Sequence, residues 1–145
     1  MTGWLLDTNV LSAFAPGRPA VAPDVTAWFE EHTDELFLSA ITAAEIEAGI
    51  AKLRRTGAVR RADDLRLWFD GMLGSYADRV LSFDLAAARI AGELGDAARA
   101  AGRHPGFADV AIAAIALSRG LVILTLNARH FDPLGAESRN PFAVN

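Results

Sequence analysis

The sequence contains no cysteine. Disulfides and thiolate metal sites are therefore excluded. Lysine is nearly absent too: Lys52 stands alone, and the other thirteen of the fourteen positive residues are arginine. No apolar run approaches the roughly 20 residues that cross a bilayer. No basic leader precedes the first apolar stretch, so a cytoplasmic protein with no membrane partner is expected. The phosphate loops G-x-G-x-x-G and G-x-x-x-x-G-K-[ST] are missing, which argues against a nucleotide-binding fold. "DTN" after the first strand lacks the D-x-D of haloacid-type phosphatases, and no late lysine supports a phospho-acceptor domain. His32, His104 and His130 lack the short paired spacing of zinc ligands and read as surface or turn residues. The net charge of −4 gives no overall steering toward nucleic acid.

What is present suits one compact domain. Of 145 residues, 52% are hydrophobic and 22% charged, enough for a sizeable core and too balanced for disorder. "GWLL" reads as a buried strand, followed by a brief helix that Thr8 or Asn9 can start. Asp24 is expected to cap the helix "VTAWFEEH". "ELFLSA" reads as a second strand, and Thr42 is expected to open the helix "AAEIEAGIAKL". A longer amphipathic helix follows over about residues 59–76. "RVLSF" reads as a short strand, and Asp84 can cap "LAAARIAGELGDAARAA". The helix "FADVAIAAIALSRG" should stop at Gly120. "LVILTL" is the clearest strand, and a turn at "NARHFDPLG" leads to a short strand near residues 137–139. Strands alternating with helices predict an α/β fold with a mostly parallel sheet covered on both faces. Ligands of such sheets bind beyond the carboxyl ends of the strands.

Three acids sit in unusual surroundings. Asp7 is wedged between apolar residues at a strand end, as a helix cap or as a functional carboxylate. Glu45 completes the capping-box pattern "TAAE", yet shares a helix face with Thr42, Ala48 and Gly49, small enough to line a cleft. Asp109 lies on the apolar side of a nearly uncharged helix, with Ile112, Ala113 and Ala116 in line. A helix dipole offers an anion only about 1 kcal/mol or less, so Asp109 needs a partner. Asn127 follows the last strand, as a turn residue or as a neutral oxygen ligand, with Thr125 close by. Carboxylates and an amide at the mouth of a parallel sheet suit a hard divalent cation. Five of the fourteen positive residues crowd into residues 52–61, "KLRRTGAVRR". Arg54, Arg55, Arg60 and Arg61 there suit bidentate phosphate contacts or form a solvated helix end.

Four segments, "LLDTNVLSA", "SAITAAEIEAGI", "HPGFADVAIAAIAL" and "LVILTLNARHF", together resemble the PIN-domain family. More narrowly they resemble VapC-type ribonuclease toxins, including the FitB-like branch, in the family's order and over nearly the whole chain. The resemblance implies a single three-layer α/β/α PIN-like domain over residues 1–145. It implies the toxin of a type II toxin–antitoxin system, an endoribonuclease dependent on Mg²⁺ or Mn²⁺. Asp7, Glu45 and Asp109 match the family's acids, and Asn127 stands where many members carry a fourth Asp. Asp7 and Asp109 are the expected metal ligands. Thr8, Asn9 and Thr125 match supporting positions, and Arg129 and His130 match the "RHF"-like tail, structural or RNA-facing. The expected partners are RNA, a VapB-type antitoxin, a second copy in a homodimer or hetero-oligomer, and DNA only through the antitoxin. Trp28, Phe29, Trp68, Phe69 and Met72 are candidates to line grooves for the antitoxin tail. The alternative is a PIN-like module that binds metal, RNA or a partner without cutting.

Overall fold

The chain is described from a computed structural model, which covers residues 3–143; the outermost residues of the expected domain, 1–2 and 144–145, lie outside the described residues. Strand β1 (Trp4–Leu6) leads into the short helix α1 (Thr8–Ser12). Helix α2 (Pro23–Glu31) precedes β2 (Leu36–Ser39) and α3 (Ala40–Arg55). Helix α4 (Val59–Tyr76), β3 (Val80–Leu81) and α5 (Leu85–Ala100) follow. The chain ends with α6 (Phe107–Arg119), β4 (Val122–Leu124), α7 (Ala128–Phe131) and β5 (Ser138–Arg139).

The five strands form one sheet in the order β3-β2-β1-β4-β5, and every pairing is parallel. The sheet is thus wholly parallel, where the sequence predicts mostly parallel. Side chains alternate across it. Leu5 and Ile123 pack with α5, α6 and Phe131 on one face, while Leu6 and Leu124 pack with the first four helices on the other. Two apolar layers on one sheet give the three-layer α/β/α arrangement and explain why β1 and β4 read as unbroken apolar runs. Helix α6 is buried from Val110 through Ala116. Its alanines meet Ala87, Ala91 and Ala98 of α5, so the two backbones approach closely. Gly120 ends α6 in the left-handed conformation, φ 66°, which glycine adopts without cost. Among the described residues no helix is long and apolar enough to cross a membrane.

Two expected helix starts are corrected. Asp24 caps nothing: α2 begins at Pro23, which occupies the first helical position, and the N-cap residue is Ala22. Thr42 does not open α3 either. Ser39 is the cap, its Oγ accepting from the Thr42 backbone N at 3.1 Å. The "TAAE" capping box therefore does not form, and Glu45 is free for another partner. Asp84 caps α5 as expected, accepting from the Ala87 backbone N at 2.9 Å.

Candidate active site

β1 lies between β2 and β4, which run on from it in opposite directions, so a crevice opens at their carboxyl ends. The ladder carries Asp7 to its rim: the Asp7 backbone N donates to the Leu124 carbonyl at 2.9 Å, one step past the paired residues. Two residues beyond Leu5 and Ile123, Asp7 and Thr125 continue the face that looks toward α6, the helix of Asp109.

Asp7 is 7% exposed, and both its oxygens are engaged. Oδ1 accepts from the Thr8 backbone N at 2.9 Å, and Oδ2 from the buried Thr125 hydroxyl at 2.8 Å. Asp7 is thus itself the N-cap of α1, a correction to the expectation that Thr8 or Asn9 takes that place. Capping leaves lone pairs open, because an ionised carboxylate has about four acceptor positions. The Thr125 hydroxyl is fixed in turn by accepting from the Asn127 backbone N at 3.0 Å. Burial pushes the Asp7 carboxyl above its ordinary pKa. The bonds from Thr125 and Thr8 pull it back, and the charges of Asp109 and Glu45 push it up again.

Glu45 is exposed on the first turns of α3. Its Oε1 accepts from the Thr8 hydroxyl at 2.6 Å. Thr8 Oγ1 also lies 3.0 Å from Thr42 Oγ1, which lies 3.4 Å from Ser39 Oγ. Each hydroxyl has one proton. A consistent arrangement donates from Ser39 to Thr42, from Thr42 to Thr8, and from Thr8 to the Glu45 carboxylate. Ser39 and Thr42 are both fully buried, so this chain ties an exposed acid to the core. Neither is among the site residues expected from the sequence; the spacing S-x-x-T straight after a strand is the signal that points to them.

Asp109 stands in the first turn of α6, its side chain 30% exposed, with Oδ2 3.3 Å from His130 Nδ1. Asn9 stitches α1 to the far loop, its Oδ1 accepting from the Leu126 backbone N at 3.2 Å. Asn127 precedes α7 and its side chain makes no capping bond. The basic run does not converge. Arg54 pairs with Asp63 at 2.9 Å, Arg61 donates to the Pro16 carbonyl, and Arg55 and Arg60 are exposed. Arg129, on α7, sits beside His130 and Asp109 instead.

The PIN-domain family model matches residues 4–135, nearly the whole chain. The chain belongs to the PIN-domain family. It is 41% identical to the plasmid stability protein StbB of Pseudomonas syringae pv. tomato, over 95% of this chain and 97% of that one. It is 37% identical to the VapC ribonuclease Y4jK of Sinorhizobium fredii, over 95% and 96%. The crystal structure of FitAcB from Neisseria gonorrhoeae superposes with a TM-score of 0.83 at 31% identity, covering 97% of this chain and 99% of that one.

In this PIN domain the donor chemistry fits a hard cation. Asp7, Glu45 and Asp109 offer oxygen only, and among the described residues no Lys or Arg forms a salt bridge with any of them; Asp109 has the His130 ring beside it. The charges of Asp109 and Glu45 raise the proton affinity of Asp7, and such crowding of like charge is what a divalent ion relieves. Among the described residues no three acidic or histidine side chains yet form a closed metal cluster. Mg²⁺ does not require one, because it takes one or two carboxylates and keeps its waters.

Proposed function

We propose that this PIN domain is the toxin of a type II toxin–antitoxin pair, a VapC-like endoribonuclease dependent on Mg²⁺ or Mn²⁺. The observation that carries the reading is Asp7: a buried carboxylate, held by Thr8 and Thr125 and crowded by two further acids. The named ribonuclease relative supports the activity, and a neighbour solved as FitAcB supports a partnered toxin. Asp7 and Asp109 would hold the cation. When bound, such an ion offsets phosphate charge and makes a water easier to deprotonate. Thr8 aims Glu45, whose exposed carboxylate accepts the proton of the attacking water, with Asn127 orienting that water. Attack in line with the departing 3′ oxygen leaves a 5′-phosphate. Arg129 is assigned to the RNA backbone; of the basic run, Arg55 and Arg60 remain exposed for it, while Arg54 and Arg61 are taken by Asp63 and the Pro16 carbonyl. Asn9 holds the loop after β4 in place around Thr125.

For the antitoxin tail the chain offers an apolar groove of about 340 Å³ in which Phe14, Phe29 and Met72 meet Leu6 and Leu11. Trp28 stacks on His32 with ring centroids 4.3 Å apart, and Phe69 is wholly buried, so these two serve the core. Trp68 lines a cleft with Glu45. Contacts with operator DNA are assigned to the antitoxin, and a homodimer is the assembly proposed for the toxin. A cytoplasmic location follows from the RNA substrate.

The test is cleavage of total bacterial RNA by purified protein with Mg²⁺, with EDTA, and as Asp7→Asn with Mg²⁺. Loss of the ion is worth several kcal/mol of charge stabilisation, about a thousandfold in rate. Both EDTA and Asp7→Asn should therefore abolish visible cleavage. Equal cutting in all three sinks the proposal, and intact RNA that is nevertheless bound selects the non-cutting module.

A further inference from the structure

A second cavity, of about 360 Å³, opens beside Asp109. Two separate parts of the chain build it. One is the loop between α5 and α6, fastened to the end of α5 by the Arg103 backbone N, which donates to the Ala98 carbonyl at 2.8 Å. The other is α7. The loop brings Arg103 and His104 to the lining, and α7 brings Arg129 and His130. Asp109 is the lone acid there, and Pro105 and Leu134 supply apolar surface.

On a chain with net charge −4, this concentration of basic side chains around a concave surface is out of keeping with the average. Six other arginines have partners: Arg54, Arg66, Arg119 and Arg139 pair with carboxylates, and Arg61 and Arg79 donate to carbonyls, whereas of those unpartnered among the described residues only Arg103 and Arg129 share the lining of this cavity. Arg103 and Arg129 have neither kind of partner among the described residues. Two guanidiniums facing one hollow, with forked donors unused, suit a phosphate. The volume is at the small end of ligand-sized pockets, about 300–1,000 Å³, room for one nucleotide rather than a duplex. A histidine ring and apolar walls suit an unpaired base, which RNA-binding proteins take by stacking.

We propose that this cavity is a subsite for single-stranded RNA. Arg103 and Arg129 grip the phosphate neighbouring the scissile one, and His104 with the Pro105 and Leu134 surface receives the adjoining unpaired base. The inference rests on the nuclease reading for the place of the cut, since Asp109 borders both sites. It also moves the centre of RNA binding from residues 52–61 to the far side of α6.

The probe is a labelled, unstructured RNA of about twelve nucleotides, within the usual span of single-strand sites. Binding is read by fluorescence anisotropy in Mg²⁺ across a salt series. Every protein carries Glu45→Gln, and a gel checks that the RNA stays whole. Arg103→Ala with Arg129→Ala should raise Kd at least about fivefold. It should also flatten the slope of log Kd against log salt by about 1.4, near 0.7 for each arginine taken away from the RNA backbone. The control removes equal charge with Arg89→Ala and Arg119→Ala. These lie at the other end of the α5–α6 pair, where Arg119 stands 3.7 Å from Asp84, and should shift Kd less than twofold. A double variant binding within twofold of its parent overturns the subsite, as does a control that weakens as much or a parent that does not bind. The nuclease reading is judged separately. In protein that keeps Glu45, cleavage lost on Asp109→Asn, alongside undisturbed binding by the Arg103/Arg129 variant, removes the subsite and keeps the nuclease. Arginine-dependent binding without any cleavage does the reverse.

Discussion

Asp7 and Glu45 face the same crevice and are held in opposite ways. Asp7 is buried, with its backbone in the sheet ladder and a donor on each oxygen. Glu45 is exposed, on a helix, with one hydroxyl as its partner. The difference matches two kinds of work. A cation ligand must be fixed before the ion arrives, and a buried carboxylate in a parallel sheet cannot move far. A proton acceptor must reach the attacking water, which an exposed side chain on a hydroxyl tether permits. Thr125 and Thr8 are therefore the residues that keep the two acids distinct.

Removing each hydroxyl should separate those roles. Thr125→Val leaves Asp7 Oδ2 and the Asn127 backbone N without their shared partner. Outer partners of metal ligands are worth about 10–100-fold, so the Mg²⁺ concentration for half-maximal cleavage should rise by that factor. The fold should also lose about 1–3 kcal/mol for the buried group left unpaired. Titration of cleavage with Mg²⁺, beside a denaturant melt, measures both. Thr8→Val should act more mildly and elsewhere. It breaks the bond to the exposed Glu45 carboxylate and the one Thr8 accepts from Thr42; the first sets the catalytic loss, about 1 kcal/mol of barrier or roughly fivefold in single-turnover rate. The Mg²⁺ midpoint should stay where it is. If both variants shift the midpoint alike, the two acids share one role and the contrast fails.

Asp7 and Asp109 stand out in the sequence because each interrupts an apolar pattern, and burial of charge is costly enough that such an interruption needs a reason; Glu45 stands out by its face of small residues. Asp84 is legible as a cap for the complementary reason, a lone polar residue before an alanine-rich helix. Ser39 and Thr42 are not. Two hydroxyls three residues apart both satisfy the cap pattern, and the choice between them depends on where β2 stops, fixed by Ser39 lying opposite Leu81 of β3. Asp24 misleads because Pro23, one residue earlier, sets the helix start by its own ring geometry. The arginine run misleads in another way. Nearness along the chain is not nearness in space, since the Thr56-Gly57 turn divides two helices and sends Arg54 and Arg61 to different partners. His130 reaches Asp109 from a segment whose docking on α6 no local pattern states.

The smallest effect tests Asp7 itself, without RNA. In the metal-free protein burial holds its proton affinity above the ordinary range. Stability from such a group is complete below the unfolded pKa, about 3.9, and is lost as pH rises through the higher folded value. Asp7→Asn keeps the shape, can still accept from the Thr8 N–H, and has no charge to bury. Thermal melts in EDTA should therefore find the variant more stable than the wild type at pH 7, with the gap closing toward pH 4. Saturating Mg²⁺ should reverse the order at pH 7, because only the wild type gains binding energy from the ion. If instead the wild type is the more stable at pH 7 in EDTA, the hydrogen bonds from Thr8 and Thr125 outweigh burial. Asp7 would then be an α1 cap first, its burial a matter of structure rather than of a site waiting for a cation.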